Sequence, residues 1–396
     1  GRAVATLVRT FGDISEAEDA VQDAFEVAGT RWVTDGIPPN PAGWIVTTAR
    51  RRAIDRRRRS LRGRELEIRA THFSSLAHDE TSDFQTPVPV IADDRLRLIF
   101  TCCHPALAIE HRVALTLRLL GGLTIKEIAT AFVVSEHAMA RRIGRAKYKI
   151  AAANIPYRIP DAEDLPQRLR SVLAVIYLVY NAGSTNLQGG VSLRNEAFRL
   201  ARSVPALVPN DTEARGLLAL LLLNESRVPA RGGCDAPVLL KDQDRSRWDP
   251  QLIVEGHRIV RDCIAADRPG PYQLQAAIQA VHCAAPSFEQ TDWPQIVSLY
   301  DHLVHLMPTP IVRLNRAIAV AETAGPQASL ELLNSIGQAL ENHYPFHAAR
   351  ASALEKLGRT QEAIDSFSRS LELAPSHQER SSLQEAIQNL QDPSPP

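Results

Sequence analysis

Residues 123–150 constrain the fold of this chain most, because they contain two short helical patterns separated by a tight break. Thr124 and Glu127 stand three residues apart, as in a capping box that begins a helix. Apolar residues then recur at helical spacing until the pattern breaks near Val133, and Ser135 is the candidate N-cap of a second helix. The stretch therefore predicts a helix, a turn and another helix.

The predicted second helix has two different faces. One is apolar and carries Met139, Ile143, Ala146 and Ile150. The other carries Ala138, Arg141, Arg142, Arg145 and Lys149. An anchored helix with a cationic outer face predicts a helix-turn-helix whose second helix lies in a major groove. Two capped helices also occur in many all-α proteins, and a basic face is often only solvated surface, so this stretch alone leaves both interpretations open.

The charge of the chain is balanced overall but unevenly distributed. The 396 residues contain 45 Lys and Arg and 45 Asp and Glu, yet residues 1–150 carry about five positive charges in excess and the remainder about five negative ones. A net charge of zero therefore does not exclude a nucleic-acid partner. We find no apolar run long enough to span a membrane and no signal peptide, and expect a cytoplasmic protein.

Five cysteines in a chain of this length suit a reducing compartment. Neither Cys102-Cys103-His104 nor His282-Cys283 has the usual spacing of metal ligands, so we expect these thiols to pack in the core. We expect no metal, no cofactor and no catalytic site.

Residues 1–61 carry an acidic helix followed by a basic one. Ser15 and Glu18 have capping-box spacing at the start of the first. Its acidic face consists of Glu16, Asp19, Asp23 and Glu26, with Gln22 beside them. Such a face is either a solubilising surface or a docking site for a basic protein partner.

The basic helix begins with Asn40 as N-cap and Pro41 at its first position, and we expect it to end near Ser60. It carries Trp44 and Thr47 and then a dense arginine run: Arg50, Arg51, Arg52, Arg56, Arg57, Arg58 and Arg59. So many neighbouring cations repel one another unless phosphates neutralise them, and an aromatic at the same end can stack on an unpaired base. A nuclear-localisation signal is the competing interpretation.

Residues 62–91 lose the helical pattern and are interpreted as a linker, with a possible short helix at residues 64–70. About thirty residues reach up to ~100 Å when extended, which would let the flanking domains bind well-separated sites on a duplex. Residues 92–155 form a second small helical domain, with helices predicted at 93–103 and 111–120 before the helix-turn-helix.

In their order, these motifs resemble a bacterial sigma factor of the extracytoplasmic-function (ECF) class. SEAEDAVQDAF resembles the first conserved region of that family, NPAGWIVTTARRRAIDRRRR the segment that melts and reads the −10 promoter element, and residues 123–150 the domain that reads the −35 element. The run DDRLRLIFTCCHPAL and the long extension resemble the subgroup with a C-terminal tetratricopeptide-like domain. The first region is expected to be truncated at its N-terminus.

The resemblance implies an RNA polymerase sigma factor that binds the β′ clamp helices and β flap of core polymerase together with promoter DNA. The implied polymerase contacts are Asp19, Gln22, Asp23 and Glu26. The implied DNA contacts are Trp44, Thr47, Arg50, Arg51, Asp55 and Arg56 at the −10 element, and Thr124, His137, Ala138, Arg141, Arg142 and Arg145 at the −35 element. The family commonly has Gly where this chain has Val133, so we expect an altered turn there.

Residues 156–396 are patterned almost entirely as helices. Residues 347–375 match the tetratricopeptide pattern of two antiparallel helices with a tight turn at Gly358, and residues 311–340 are a weaker copy. Arrays of such helix pairs form curved surfaces that bind partners, so we expect an unidentified ligand or protein there. The resemblance implies a regulatory role for this extension, and its length and opposite net charge lead us to expect that it gates the two DNA-reading domains.

One loop in the extension alternates acidic residues and arginines around a tryptophan: Asp242, Asp244, Arg245, Arg247 and Trp248. An ion-pair knot or an interdomain contact is the favoured interpretation, and a ligand site is the alternative. Catalysis is disfavoured, because no metal set, nucleophile elbow or phosphate loop accompanies the carboxylates.

The fold class predicted is all-α, with sigma regions at 1–61 and 92–155, a linker at 62–91 and a helical extension at 156–396. The competing functional hypotheses are a helix-turn-helix regulator that binds DNA without polymerase, and a repeat scaffold with incidental basic helices. The acidic face at residues 16–26 argues against the first of these hypotheses, because a regulator that acts alone has no need of a docking face.

Overall fold

The computed structural model describes residues 1–69, 92–132, 134–185, 190–231, 238–375 and 377–391. Within these residues every regular element is helical, which confirms the all-α prediction. The chain divides into two compact units, Gly1–Leu207 and Val208–Pro396.

The first unit begins with three helices, α1 (Arg2–Phe11), α2 (Ile14–Asp35) and α3 (Pro41–Arg69). Gly12 separates α1 from α2 at a φ of 75°, a left-handed conformation that glycine adopts without strain. Its neighbour Asp13 is the N-cap of α2, and its carboxylate accepts a hydrogen bond from the Glu16 amide.

The predicted capping box of Ser15 and Glu18 is therefore wrong, because α2 begins before it. The carboxylate of Asp13 already caps the helix, which leaves Ser15 inside the first turn. Glu18 is buried instead of capping. The N-cap of α2 is therefore Asp13, two residues before the predicted Ser15.

The basic helix is longer than predicted. Asn40 Oδ1 accepts a hydrogen bond from the Gly43 amide at 2.9 Å, which confirms the N-cap. The helix then continues past Ser60 to Arg69, so the short helix predicted at residues 64–70 is the end of α3. The rest of the predicted linker, residues 70–91, lies outside the described residues.

The second group of helices comprises α4 (Ala92–Cys102), α5 (Ile109–Thr116), α6 (Ile125–Ala131) and α7 (Glu136–Ala152). α5 continues into a π-helical turn, Leu117–Gly121, and a left-handed Gly122 ends it. Apolar residues of these helices are buried together, among them Leu98, Phe100, Leu115, Ile128 and Met139. The described residues thus confirm the two helices predicted on either side of the turn, whereas Val133 lies outside them.

The first unit also contains α8 (Leu165–Thr185) and α9 (Gly190–Leu207), so its boundary differs from the residue 156 expected for the extension. Arg168 of α8 donates a hydrogen bond to the Phe100 carbonyl at 2.7 Å, and Arg199 of α9 donates to the Leu120 carbonyl at 2.7 Å. These helices cover α4 and the π-helical turn, which is why they belong to the first unit.

The second unit is a succession of helix hairpins. Its helices are α10 (Thr212–Glu225), α11 (Pro250–Ala265), α12 (Pro271–Ala284), α13 (Trp293–Leu306), α14 (Pro310–Thr323), α15 (Gly325–Ile336), α16 (Tyr344–Lys356), α17 (Thr360–Leu373) and α18 (His377–Gln391). Each helix from α11 to α16 has a proline in its first two positions, where a missing N–H costs nothing.

The predicted helix pair at residues 347–375 is confirmed by α16 and α17. Gly358 separates the two helices at a φ of 72°. Leu354 of α16 and Ala363 of α17 are buried in one cluster, together with Leu330 and Leu333 of α15. Each helix pair buries its apolar face partly against the next, as in an array of helical repeats.

Candidate nucleic-acid interface

The helix-turn-helix is held by side-chain caps at both of its helices. The Thr124 amide donates a hydrogen bond to Glu127 Oε2 at 2.7 Å and the Glu127 amide donates to Thr124 Oγ1 at 3.1 Å, which confirms the capping box of α6. Ser135 Oγ accepts a hydrogen bond from the Ala138 amide at 3.2 Å and caps α7. Both helix starts are thus fixed by residues next to them in sequence.

The two faces of α7 are as the sequence predicted. Met139, Ile143, Ala146 and Ile150 are buried. The outer face presents exposed side chains from His137, Ala138, Arg141, Arg145 and Lys149. This surface can approach an anionic groove without disturbing the core that anchors it.

Arg142 is placed differently from the other candidate readers. It is half-buried and lines a cavity of about 420 Å³ with apolar residues of α5, α7 and α8, among them Val113, Met139 and Leu178. It also helps to lower the pKa of His111, for which burial is the larger cause. Arg142 therefore packs at the edge of the reading face.

The candidate −10 residues lie along α3. Trp44 is half-buried and packs edge-on against Trp32 of α2, with ring centroids 5.4 Å apart. The Thr47 hydroxyl donates to the Gly43 carbonyl at 2.9 Å. Arg51 and Asp55 are exposed, and Arg50 is half-buried. The candidate −10 side chains therefore share one helix, on which Arg51 and Asp55 are exposed and the others are partly packed.

Arg56 contacts acidic residues of α2. Its guanidinium forms an ion pair with Asp23 and a longer one, 3.8 Å, with Asp19. Its neighbour Arg57 binds Glu16 through two hydrogen bonds of 2.6 and 2.7 Å. The predicted acidic docking face and the predicted basic DNA face are thus joined by ion pairs, which the sequence did not indicate.

The remaining docking candidates stay accessible. Gln22 and Glu26 are exposed on α2, and the side chain of Phe25 between them is 58% exposed. A single exposed phenylalanine is ordinary on a protein surface and does not by itself mark a protein contact.

A contact that sequence analysis missed joins α2 to the helix-turn-helix. Glu18, only 9% exposed, accepts a hydrogen bond from Arg118 Nε at 2.5 Å and forms an ion pair with Lys147 of α7. Arg118 lies in the π-helical turn, 100 positions from its partner. No local pattern signals a pair so distant in sequence, and Glu18 also fitted a capping box.

In the second unit, two acidic residues of the loop at 241–249, Asp244 and Asp249, cap helical turns. Asp244 Oδ1 accepts hydrogen bonds from the amide and hydroxyl of Ser246, at 3.0 and 2.6 Å. Asp249 Oδ1 accepts from the amides of Gln251 and Leu252 and thereby caps α11. These carboxylates bind backbone amides, whereas the interpretation favoured from the sequence was an ion-pair knot or an interdomain contact.

Trp248 is the centre of the same loop and is 5% exposed. The guanidinium carbons of Arg227 and Arg245 lie over its ring, 5.4 and 4.7 Å from the centroid. Arg245 also donates to the carbonyls of His282 and Ala285 at 2.7 and 2.5 Å. Asp242 and Arg247 are exposed. The contacts of Arg245 and Trp248 thus join elements of the second unit.

The thiols that invited a metal interpretation are core residues. Cys102 and Cys103 are buried, and burial raises the pKa of Cys103 to about 11. Among the described residues, no cluster of three or more His, Cys, Asp or Glu could hold a metal ion. In the same part of the chain, no helix combines the length and hydropathy needed to cross a bilayer.

We expect the stability of the second unit to fall as the pH drops from about 6.5 to about 4. Burial, aided by Arg227 and Arg245, lowers the pKa of His282 to about 4. Between these two pH values the unfolded chain binds a proton at His282 that the folded chain does not bind. This difference lowers the free energy of unfolding by about 3 kcal/mol across the whole pH range. Urea unfolding across this pH range measures the fall in the free energy of unfolding. Hydrogen exchange in α12 shows whether the loss occurs there.

The matched variants for this pH dependence are His282→Gln and His302→Gln, because His302 is exposed on α13. The first should flatten the pH dependence and the second should leave it unchanged. An unchanged slope in His282→Gln would show that other groups cause the loss of stability.

Known family models match the two segments of the chain that carry the candidate interface. The family described as sigma-70 region 2 matches residues 1–63, and sigma-70, region 4 matches residues 97–150. A family of unknown function (DUF6596) matches residues 168–264.

A relative in Rhizobium meliloti (strain 1021), the uncharacterized protein R00370, is 41% identical over 98% of this chain and 93% of its own length. The ECF RNA polymerase sigma factor SigK of Mycobacterium tuberculosis is 29% identical over 129 residues, which are 32% of this chain and 66% of SigK. The chain thus spans slightly less than two thirds of SigK. The match to R00370 extends over both units.

Solved structures add little to this assignment. A thermophilic TPR protein of Thermus thermophilus, TTC0263, aligns with 55% of this chain and 98% of its own at a TM-score of 0.38 and 16% identity. Yeast Tom70 aligns with 96% of this chain and 80% of its own at a TM-score of 0.39 and 12% identity. Both scores are too low to show a common fold.

On its sequence matches, the chain belongs to the family of R00370 and is an RNA polymerase sigma factor of the extracytoplasmic-function class with a helical C-terminal extension.

Proposed function

We propose that α7 reads the −35 element and α3 the −10 element, while α2 docks on core polymerase. The observation that carries this proposal is the division of α7 into a buried apolar face and an exposed face with Arg141 and Arg145. Arginines presented by a helix in the major groove can bind guanine edges and phosphates. His137 and Ala138 lie at the N-terminal end of the same face, where a recognition helix meets base edges.

At the −10 element, the proposed readers are side chains of α3, of which Arg51 and Asp55 are exposed and Trp44 and Arg50 are half-buried. Arg51 would neutralise a phosphate of the melted strand, with Arg50 and Asp55 beside it. Trp44 packs edge-on against Trp32, which supports its use as a rigid platform for an unpaired base. Unstacking a base costs a few kcal/mol, and stacking on such a platform repays part of that cost.

For docking, α2 would contact the β′ clamp helices through Asp19, Gln22, Asp23 and Glu26. The ion pairs of Arg56 support a positioning role for this arginine, since it links Asp19 and Asp23 to α3. The second group of helices would contact the β flap, and Thr124, engaged in its cap, would approach the DNA backbone. A protein with this role acts without a catalytic step or cofactor and works in the cytoplasm, where the polymerase is.

The second unit would gate this activity through an unidentified protein or ligand. Its hairpin architecture supports such a role, because stacked helix pairs offer extended binding surfaces.

Truncation after Leu207 tests the gating proposal. We expect this chain to bind core polymerase but to produce a different amount of run-off transcript from the intact chain at equal polymerase occupancy. The cut falls between the two units, whereas a cut near Ile159 would strip α8 and α9 from α4. Equal transcript levels from the truncated and the intact chain under all conditions would contradict a regulatory role of the second unit.

Gel filtration with core polymerase separates this function from that of a regulator acting alone. The sigma factor is expected to co-elute with core polymerase in the absence of DNA. Replacing Gln22 and Glu26 by Ala should weaken co-elution, whereas replacing the exposed Arg170 of α8 should not. Binding to promoter DNA without any binding to polymerase would favour the regulator.

A further inference from the structure

We propose that the cavity between the helix-turn-helix and α8 binds a small apolar monoanion, whose anionic group pairs with Arg142, and that the bound ligand weakens reading of the −35 element. The existence of the site does not depend on the proposed function. Its effect on DNA binding rests on that function, because it concerns the same face of α7.

The cavity has the size and lining of a small-molecule site. Its volume is about 420 Å³, and sites for small ligands typically enclose about 300–1,000 Å³. Apolar side chains from four helices form most of its wall, among them Val113 of α5, Phe132 after α6, Met139 of α7, and Leu178 and Ala182 of α8. Water gains few hydrogen bonds against such a wall, so the cavity favours an apolar occupant.

The wall from α8 leaves apolar surface for a ligand to cover. Leu178 is 42% exposed, whereas its neighbours Ile176 and Val179 are buried in the core of the first unit. Leu178 lines the cavity opposite the helices of the helix-turn-helix. A ligand that covers this side chain contacts both the DNA-reading helices and a helix that follows them in the chain.

The cavity also presents a cation without a counter-ion. Glu110, Arg142 and Asn181 are the polar side chains of its lining. Within the part of the chain that the structure describes, no carboxylate lies within ion-pair distance of the Arg142 guanidinium, although Glu110 lines the same cavity. A half-buried guanidinium binds a carboxylate or a similar oxyanion through two parallel hydrogen bonds. This geometry selects an apolar molecule that carries one such group.

The charges around the cavity favour an anion in spite of Glu110. The neighbouring His111 has a lowered pKa, for which burial is the largest cause and Arg142 the next. Arg145 and Lys149 act in the same direction, and Glu110 acts in the opposite one. Three cations and one carboxylate thus influence this position, so an entering anion gains more attraction than repulsion.

A bound anion would act on DNA reading through charge. Arg142 and the exposed Arg145 stand three positions apart on α7, which makes them neighbours on the helix surface. The anion therefore reduces the positive potential that attracts DNA phosphates to this face. Ligand and DNA then each lower the affinity for the other by the same factor.

The test uses the full chain and the neutral fluorescent dye N-phenylnaphthylamine, which is displaced from apolar cavities by octanoate or octanol. The two competitors have equal chain length and differ in charge. Arg142→Gln removes the proposed partner of the carboxylate. Arg170→Gln is the matched control, because Arg170 is exposed on α8 and does not line the cavity. Ala182→Phe fills the cavity from α8.

We expect Arg142→Gln to weaken octanoate binding about tenfold, the usual effect of losing a hydrogen bond to a charged group, and to leave octanol binding nearly unchanged. Arg170→Gln should alter neither affinity. Ala182→Phe should abolish binding of the dye and of both competitors. Saturating octanoate should weaken binding of the parent chain to a −35 duplex about fivefold, the lower end of ordinary coupling between two sites. Ala182→Phe should remove this effect of octanoate.

The site is overturned if octanoate does not bind the parent chain, or if Arg142→Gln and Arg170→Gln change its affinity equally. If Ala182→Phe loses helical circular dichroism, the two arginine variants decide the question. A dimer in sedimentation that octanoate dissociates would make a second copy the occupant and would also overturn the proposal.

The regulatory effect is overturned if octanoate binds in the cavity without changing the affinity for the duplex. The failure of the proposed function has a different signature, in which no chain binds the −35 duplex with or without octanoate. The dye measurements contain no DNA, so they still decide in that case whether the cavity and Arg142 form a ligand site.

Discussion

Replacing both Arg141 and Arg145 by Ala is expected to weaken binding to a −35 duplex by about 1–3 kcal/mol for each arginine that contacts a base. Both side chains are exposed on the outer face of α7, while the opposite face is buried, so the substitutions remove readout without opening the core. Fluorescence anisotropy with a duplex carrying the −35 element, repeated with a scrambled duplex and at several salt concentrations, measures the effect.

The two duplexes and the salt series separate base reading from phosphate contact. A loss of affinity for the promoter duplex alone identifies a base-reading arginine. An equal loss of affinity for both duplexes, with a shallower salt dependence of binding, identifies a phosphate contact. The matched control is Arg158→Ala with Arg170→Ala, which removes the same charge from exposed positions of the first unit. Equal affinity of the double variant and the parent chain would leave α7 without a role in DNA binding.

The largest effect on stability is expected from Trp248→Ala in the second unit. The ring is 5% exposed, and the guanidiniums of Arg227 and Arg245 lie over it. Truncating a buried tryptophan costs about 3–5 kcal/mol, because it removes apolar burial and leaves a cavity. Arg245 would also lose the ring that orients it toward the carbonyls of His282 and Ala285. Urea unfolding with hydrogen exchange in α11 and α12 measures the loss and its location.

Arg247→Ala is the matched control, because Arg247 is a neighbour in the same loop but exposed. It should change the free energy of unfolding by less than about 0.5 kcal/mol, as for ordinary surface positions. Trp248→Phe should recover part of the stability by refilling the site. A Trp248→Ala chain as stable as Arg247→Ala would mean that the loop does not organise this part of the second unit.

The division of the chain after Leu207 changes how the extension should be studied. The family of unknown function matches residues 168–264 and therefore includes α8 and α9 of the first unit as well as α10 and α11 of the second. Removing everything after the recognition helix would strip two covering helices from α4 along with the extension. Experiments on regulation need the boundary at 207.

Local features of the chain were predictable because adjacent residues determine them. The capping box of Thr124 and Glu127, the cap at Ser135 and the two faces of α7 require no distant partner. The helix pair predicted in the second unit at residues 347–375 matches α16 and α17. Apolar periodicity and helix caps depend on residues within one or two helical turns, so they can be recognised from the sequence without the tertiary structure.

Other local predictions were wrong. Asp13 is the N-cap of α2, two residues before the predicted Ser15. The end of α3 was placed near Ser60, whereas the helix continues to Arg69. Arg56 is a predicted DNA contact, and the sequence did not indicate that it also forms ion pairs with Asp19 and Asp23 of α2.

The sequence by itself determined the all-α class, the helix-turn-helix and the order of motifs that marks an ECF sigma factor, since these depend on short-range spacing. Only the tertiary structure decided that Glu18 meets Arg118 and Lys147, that α8 and α9 cover the first unit, and that Arg142 turns toward an apolar cavity. These pairings join residues far apart in sequence, and their partners are selected by packing and by the desolvation of charge, which no local pattern encodes.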